Sequence, residues 1–142
     1  MDQPTVAERR LVIAAWWFAG GSAIHVVDHL RRGQGSVTES LYVLGNVALV
    51  LQVVTIVLVL TRHRLAPFIA AAAGLQLAAG FAAAHWLPQR SSMSDPVWEI
   101  DSARWFSTIA SLTEIVGALA VGLTGVAVVR ARGLTSFAAG HR

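Results

Sequence analysis

Hydrophobic residues along this chain fall into four long runs that are separated by short polar connections. The runs cover Leu11–Leu30, Leu41–Thr61, Ala66–Leu87 and roughly Arg104–Val129. Each matches the length of about 20 residues that an α-helix needs to cross a bilayer. Little chain remains for a separate soluble domain. The pattern therefore predicts an all-α polytopic membrane protein, a four-transmembrane-helix bundle in which residues 1–142 form a single integral membrane domain.

Composition supports the same class. The chain is 55% hydrophobic and 13% charged, whereas a soluble domain carries about 25% charged residues. It has no cysteine, which excludes disulfides, thiolate nucleophiles and cysteine-bound metals. All 11 basic residues are arginines, and they flank the apolar runs as topology signals do. The expected partners are therefore the lipid bilayer and small molecules, and no nucleic acid.

The arginines also predict an orientation. With four spans both termini lie on one side, and seven arginines fall on that side against four on the other. The positive-inside rule then places both termini in the cytoplasm and the protein in the cell membrane.

The first run carries an unusual polar cluster, His25, Asp28 and His29. Residues at i, i+3 and i+4 share one helix face. Ionisable groups inside a membrane helix are costly, at roughly 2.5–3.5 kcal/mol for an Asp at the centre, and they indicate a functional site by default. Asp28 could orient His25, or it could pair with Arg31 or Arg32 one turn further along.

Most polar residues of the other runs lie in the same half of the bilayer as this cluster, toward the outer side. Glu114 lies about 15 Å deep in the last run, with no local arginine in reach. A carboxyl at that depth must be protonated or partnered, and a histidine of the first helix is the natural partner. The sequence thus predicts a polar pocket open to the outer side, with Glu114 as its floor and walls formed by His25, Asp28, His29, Asn46 and His85.

This pocket suits acid–base catalysis on a lipophilic substrate that resembles a polyketide, terpenoid or sterol. His25, Glu114 and Asp28 are the predicted catalytic residues, and isomerisation, epoxide opening and cyclisation are the candidate reactions. No metal or cofactor is expected in this mechanism. Tryptophans could shield a developing carbocation, and acidic residues of the long third connection could form a lid. The predicted substrate-binding residues are His29, Tyr42, Asn46, His85, Trp86, Trp17, Trp105, Ser111, Glu99 and Asp101.

Short stretches of the chain resemble the emopamil-binding-protein sterol isomerases, the EXPERA domain. The histidine-bearing helix of that family is similar to Trp17-Phe18 with Ile24-His25, and its asparagine-bearing helix is similar to Tyr42–Leu49 around Asn46. Its Asp-Ser-Arg-aromatic stretch and glutamate-bearing helix are similar to Asp101-Ser102-Ala103-Arg104-Trp105 and Leu112-Thr113-Glu114-Ile115. The resemblance implies that His25 and Glu114 handle the proton shifts of sterol double-bond migration around a carbocation.

Two other functions fit the same residues. His25 and His29 form an i, i+4 pair suited to a metal, which Asp28, His85 and Glu114 could complete, and two histidines on different helices could instead hold a haem. A non-catalytic small subunit or carrier is the third alternative.

Small residues recur every four positions in the third run, at Ala70, Gly74, Ala78 and Ala82, and the last run repeats the pattern at Ala118 and Gly122. Such ridges predict close helix packing and allow a homo-oligomer.

Overall fold

The chain folds into four helices joined by short connections. The computed structural model describes residues 3–88 and 91–139. Its helices are α1 (Val6–Arg32), α2 (Glu39–Leu60), α3 (Ala66–Trp86) and α4 (Arg104–Ala139). Short 3₁₀ turns, Gln34–Ser36 and Val97–Glu99, lie in the first and third connections. The predicted all-helical four-helix bundle is confirmed.

All four helices are long and apolar enough to cross a membrane, which indicates an integral membrane protein in contact with the lipid bilayer. Their outward faces carry large exposed apolar side chains, among them Ile13, Trp16 and Val47. The α2 helix is the most peripheral, because 17% of its most apolar stretch is buried against 39% in each of the other three. Most of the α2 surface is therefore free to face lipid.

The helices extend beyond or stop short of the apolar runs because capping residues, and not hydrophobicity, set their ends. In α1 the Glu8 N–H donates to the Thr5 hydroxyl (3.2 Å), and the Thr5 N–H donates to the Glu8 carboxylate (2.9 Å). This reciprocal capping box starts the helix at Val6, before the first apolar residue of the run. Gly33, with φ of 83°, ends it in a conformation that favours glycine.

Glycines bring α4 into close contact with α3 and α1. A Cβ on Gly74 would lie 2.6 Å from the backbone nitrogen of Gly122 and 2.8 Å from the carbonyl oxygen of Ala118. A Cβ on Gly117 would lie 2.8 Å from Cα of Phe18 on α1. The predicted close packing along the small-residue ridges is confirmed where Gly74 meets Ala118 and Gly122, whereas the approach at Gly117 lies outside those ridges. Together the two crossings fix the spacing of the helices that carry the site.

Replacing Gly74 with alanine is expected to destabilise the bundle by about 1–3 kcal/mol, because the added methyl group must push α3 and α4 apart. The matched control is Gly80→Ala on the same helix, where a Cβ meets nothing within 4 Å. Unfolding in a denaturing detergent titration measures the free energies. Equal stability of the two variants would contradict the close approach.

The two ends of the bundle are closed by different contacts. At the terminal end, where α1 begins and α4 ends, Arg132 pairs with Glu8 at 2.9 Å. At the opposite end, here called the loop end, Arg32 of α1 pairs with Asp95 of the third connection at 2.6 Å. The Thr38 hydroxyl also donates to the backbone carbonyl of Ser92 there. These contacts hold the third connection over the ends of α1 and α3.

Candidate metal centre

Three imidazoles meet inside the bundle near the loop end. His25 and His29 lie one turn apart on α1, and their Nε2 atoms are 2.9 Å apart. His85, near the end of α3, packs edge-to-face on His25 with ring centroids 4.9 Å apart. One ligand nitrogen from each of the three lies within 4.8 Å of the others. The structure thus brings together three histidines that the sequence placed at one level of the predicted pocket.

The second ring nitrogen of two of these histidines faces an oxygen atom. The Nδ1–H of His85 donates to the backbone carbonyl of Asp95 at 3.0 Å. Nδ1 of His25 lies 3.5 Å from Oε2 of Glu114 on α4. When Nδ1 of an imidazole faces an oxygen, its Nε2 remains as the ligand atom. Both rings are therefore oriented with Nε2 available to the shared centre.

Glu114 of α4 lies beside His25 in the interior of the bundle. It is 1% exposed, and helices α1 and α2 cover it with His25 and Gln52. The other carboxylates in ion pairs, those of Asp28, Asp95 and Glu8, each pair with an arginine. Among the described residues, Glu114 is therefore the buried carboxyl whose partner is a histidine and not a permanent cation.

Gln52 is a member of the site that the sequence reasoning left out. Its side chain approaches Glu114 from α2 and is 3% exposed. Within the described residues, Oε1 of Gln52, Oε2 of Glu114 and Nδ1 of His25 are buried without a hydrogen bond. Unsatisfied buried polar atoms are rare in folded proteins and mark places where a further ligand or a small rearrangement completes the bonding. The sequence signal was a single glutamine among apolar residues.

Asp28 pairs with an arginine of its own helix. Its carboxylate accepts hydrogen bonds from Nε (3.2 Å) and Nη2 (2.8 Å) of Arg31. Arg31 also donates to the Ser102 carbonyl and the Ser107 hydroxyl at the start of α4. Of the two possibilities that the sequence left open for Asp28, the pairing one turn along the helix is the observed one. Asp28 thus helps to link α1 to α4 through Arg31. The carboxyl that lies next to His25 is that of Glu114.

Asp95 connects the histidines to the third connection. Its carboxylate receives both Nη groups of Arg32, at 2.6 and 2.7 Å, while its carbonyl accepts from His85. Asp95 and Arg32 also line a cavity of about 380 Å³ at the loop end. Glu99 and Asp101, predicted to bind substrate, line the same cavity. The third connection thus covers His85 and surrounds a polar space above it.

The remaining predicted substrate-binding residues are exposed or make other contacts. Trp17 is 59% exposed because its neighbour Phe18 points into the core, and Trp105 is 68% exposed. Tyr42 and Asn46 lie on a stretch of α2 in which every residue from 42 to 47 is exposed. Trp86 donates through Nε1–H to the Ser111 hydroxyl at 3.2 Å, a contact that joins α3 to α4.

Three neutral imidazoles can bind zinc, copper, iron or nickel in their divalent forms. Three protein ligands with a further coordination position open are typical of catalytic zinc sites. A haem is a poor fit, because the rings of His25 and His85 pack directly on each other and leave no space for a porphyrin between them.

No family model, no curated protein and no solved structure matches the chain. The function is therefore inferred from the residues of the site itself.

Proposed function

We propose that this protein is a membrane-embedded metalloprotein in which His25, His29 and His85 bind one divalent transition-metal ion, with zinc the preferred ion. The observation that carries the proposal is the convergence of three imidazole ligand atoms within 4.8 Å of one another. These residues come from two helices long and apolar enough to cross a membrane. Polar groups at such positions are expensive and are kept where they serve a function.

The spacing of the nitrogens supports zinc. Bonds of 2.0–2.1 Å at tetrahedral angles place two nitrogen ligands about 3.4 Å apart. The observed Nε2 atoms of His25 and His29 lie at 2.9 Å, and no pair of ligand atoms exceeds 4.8 Å. The separation of about 3.4 Å that zinc requires lies between these two values.

The surroundings of the imidazoles also support a metal. Histidines that bind metals usually donate their other N–H to a carboxylate or a backbone carbonyl, which fixes the ring and strengthens the ligand. His25 has Glu114 in that position and His85 has the carbonyl of Asp95. Without a metal, the close Nε2 atoms of His25 and His29 can share only one proton between them.

Charge balance points in the same direction. A buried carboxylate is stable only when it is paired or neutralised. Glu114 has no arginine partner in the part of the chain that the structure describes, and a dication held by His25 supplies the missing positive charge. The ion and the carboxylate would therefore stabilise each other through one imidazole.

The proposal is tested by the metal content of the full-length protein, purified with a tag that contains no histidine. We expect one zinc ion per chain after dialysis against weak chelator, measured by inductively coupled plasma mass spectrometry. The His63→Ala variant is the matched control, since His63 lies in the exposed turn between α2 and α3. A wild-type protein that neither retains nor takes up a stoichiometric transition metal would refute the proposal.

The second candidate is the acid–base enzyme for lipophilic substrates that the sequence predicts. It is favoured by the 3.5 Å contact between His25 and Glu114, a donor and an acceptor in an apolar bundle. Here the pair itself would move the proton during isomerisation, epoxide opening or cyclisation, as the EXPERA resemblance implies.

Replacing Glu114 with glutamine distinguishes the two candidates. In a metal centre, loss of the carboxylate behind His25 is expected to weaken zinc binding about 10- to 100-fold. Competition with a chromophoric chelator measures the affinity, and Glu39→Gln, an exposed acid at the start of α2, is the control. Unchanged zinc affinity in Glu114→Gln would contradict a role of Glu114 in supporting the metal ligand His25.

A further inference from the structure

A second cavity lies at the terminal end of the bundle, at the opposite end from His25, His29 and His85, and His63 is among the residues that line it. Its volume is about 410 Å³, and it is bordered by the first turns of α1, the turn between α2 and α3, and α4 near Arg132. Three arginines and one glutamate line it, together with apolar side chains of α1, α2 and α3. The charged members are Glu8, Arg9, Arg62 and Arg132.

We propose that this cavity binds the phosphate headgroup of an anionic phospholipid. The ligand class is a glycerophospholipid with a phosphodiester and no positively charged headgroup, such as phosphatidylglycerol. The proposal is independent of the metal centre, because it involves other residues at the opposite end of the helices.

The charges of the cavity favour a phosphodiester. Glu8 is engaged by Arg132 at 2.9 Å, so these two charges compensate each other. The guanidinium of Arg9 donates through Nε to the carbonyl of Pro4, a neutral acceptor. Arg9 and Arg62 therefore leave a net positive charge for a ligand, and basic pockets between membrane helices bind anionic headgroups.

The backbone of the turn holds Arg62 in this place. Arg62 has φ of 55°, in the left-handed region that favours glycine. A residue other than glycine in that conformation costs on the order of 1 kcal/mol. A local backbone hydrogen bond closes the turn, with the Arg62 N–H donating to the Val59 carbonyl at 3.0 Å. Arg62 lines the cavity from this turn.

The apolar wall of the cavity supports a lipid over a free phosphate. Leu11 and Val59 are buried in the wall, while Ile13 borders the cavity and is 68% exposed on the outer surface of α1. Because α1 is long and apolar enough to cross a membrane, that surface faces acyl chains. A lipid can thus place its phosphate among the arginines and continue its chains along α1.

The test compares lipid binding to the purified full chain in a neutral detergent, by native mass spectrometry and by the thermal unfolding midpoint. Three probes are added: phosphatidylglycerol, phosphatidylcholine and inorganic phosphate. We expect phosphatidylglycerol to bind and to raise the midpoint, and the other two to do neither. Equal effects of phosphatidylglycerol and phosphatidylcholine would overturn the proposal, and an equal effect of inorganic phosphate would replace the lipid with a free anion.

A pair of double variants locates the binding. Arg9→Gln with Arg62→Gln is expected to lower the affinity for phosphatidylglycerol roughly 30-fold, at about 1 kcal/mol for each arginine near a membrane surface. Arg10→Gln with Arg130→Gln removes the same charge from exposed positions at the terminal end that do not line the cavity. Circular dichroism confirms that both fold. Equal losses in the two double variants would show a diffuse charge effect and refute the site.

Discussion

Replacing His29 and His85 together with alanine is expected to abolish stoichiometric zinc binding, with a loss of affinity of more than about 100-fold. Removal of a group that only supports a ligand already costs 10- to 100-fold, and this variant removes two of the three ligands. His25 alone, with Nδ1 directed at Glu114, keeps a single nitrogen for the ion. Metal analysis and chelator competition on the purified protein measure the loss.

The control for this experiment is again His63→Ala, which removes an imidazole at the exposed turn and should keep one zinc ion per chain. Circular dichroism and gel filtration establish that the double variant remains a folded helical protein. If a folded His29→Ala/His85→Ala protein binds zinc as tightly as the wild type, the ion lies elsewhere and the assignment of these ligands is wrong.

Replacing Asp95 with alanine is expected to destabilise the protein by about 3–5 kcal/mol, the usual cost of breaking a buried ion pair from one side. The side chains of Arg32 and Asp95 are only 7% and 11% exposed, and they form two hydrogen bonds of 2.6 and 2.7 Å. Alanine leaves the guanidinium of Arg32 without its anion. The free energy of unfolding in a denaturing detergent titration measures the effect.

Asp95 also positions His85, so the same variant should affect metal binding. The carbonyl that accepts from His85 is held in place by the side chain of the same residue through Arg32. We expect lower zinc affinity in Asp95→Ala and no such change in Asp101→Ala, an exposed acid of the same connection. A variant as stable as Asp101→Ala would show that the Arg32–Asp95 pair does not fasten the third connection.

Much of the fold could be predicted because bilayer crossing requires long apolar runs, and this chain has four of them. The ends of the helices were less predictable, since they depend on caps such as Thr5 with Glu8. The crossing at Gly74 followed from small residues at helical spacing, whereas the crossing at Gly117 lay outside the predicted ridges. Membrane helices pack closely only where such residues allow it, which is why this pattern was informative.

The candidate site was predictable in its depth but not in its contacts. The level of each residue follows from the rise along its helix, and this placed His25, His85 and Glu114 together. Which way a side chain points depends on tertiary packing, and here the sequence was ambiguous. Asp28 and His29 share a helix face, yet the Asp28 carboxylate pairs with Arg31 while the His29 ring contacts His25.

One contact of the site joins residues far apart in sequence and had no local signal. Arg32 and Asp95 are separated by 63 residues, and Asp95 reads as an ordinary loop acid. Asn46 presented the opposite case, a polar residue at the right depth on an exposed stretch of α2. Its amide donates to the Tyr42 carbonyl of its own helix at 2.8 Å, a local contact within α2.

The most direct test of the metal centre is X-ray absorption spectroscopy at the zinc edge on the zinc-loaded full-length protein. We expect nitrogen and oxygen atoms at 2.0–2.1 Å from the zinc ion, together with the more distant scattering of three imidazole rings. The His29→Ala/His85→Ala variant should lose two of the three imidazole contributions in whatever zinc signal it retains, which would complete the assignment. A wild-type spectrum without imidazole scattering would contradict it.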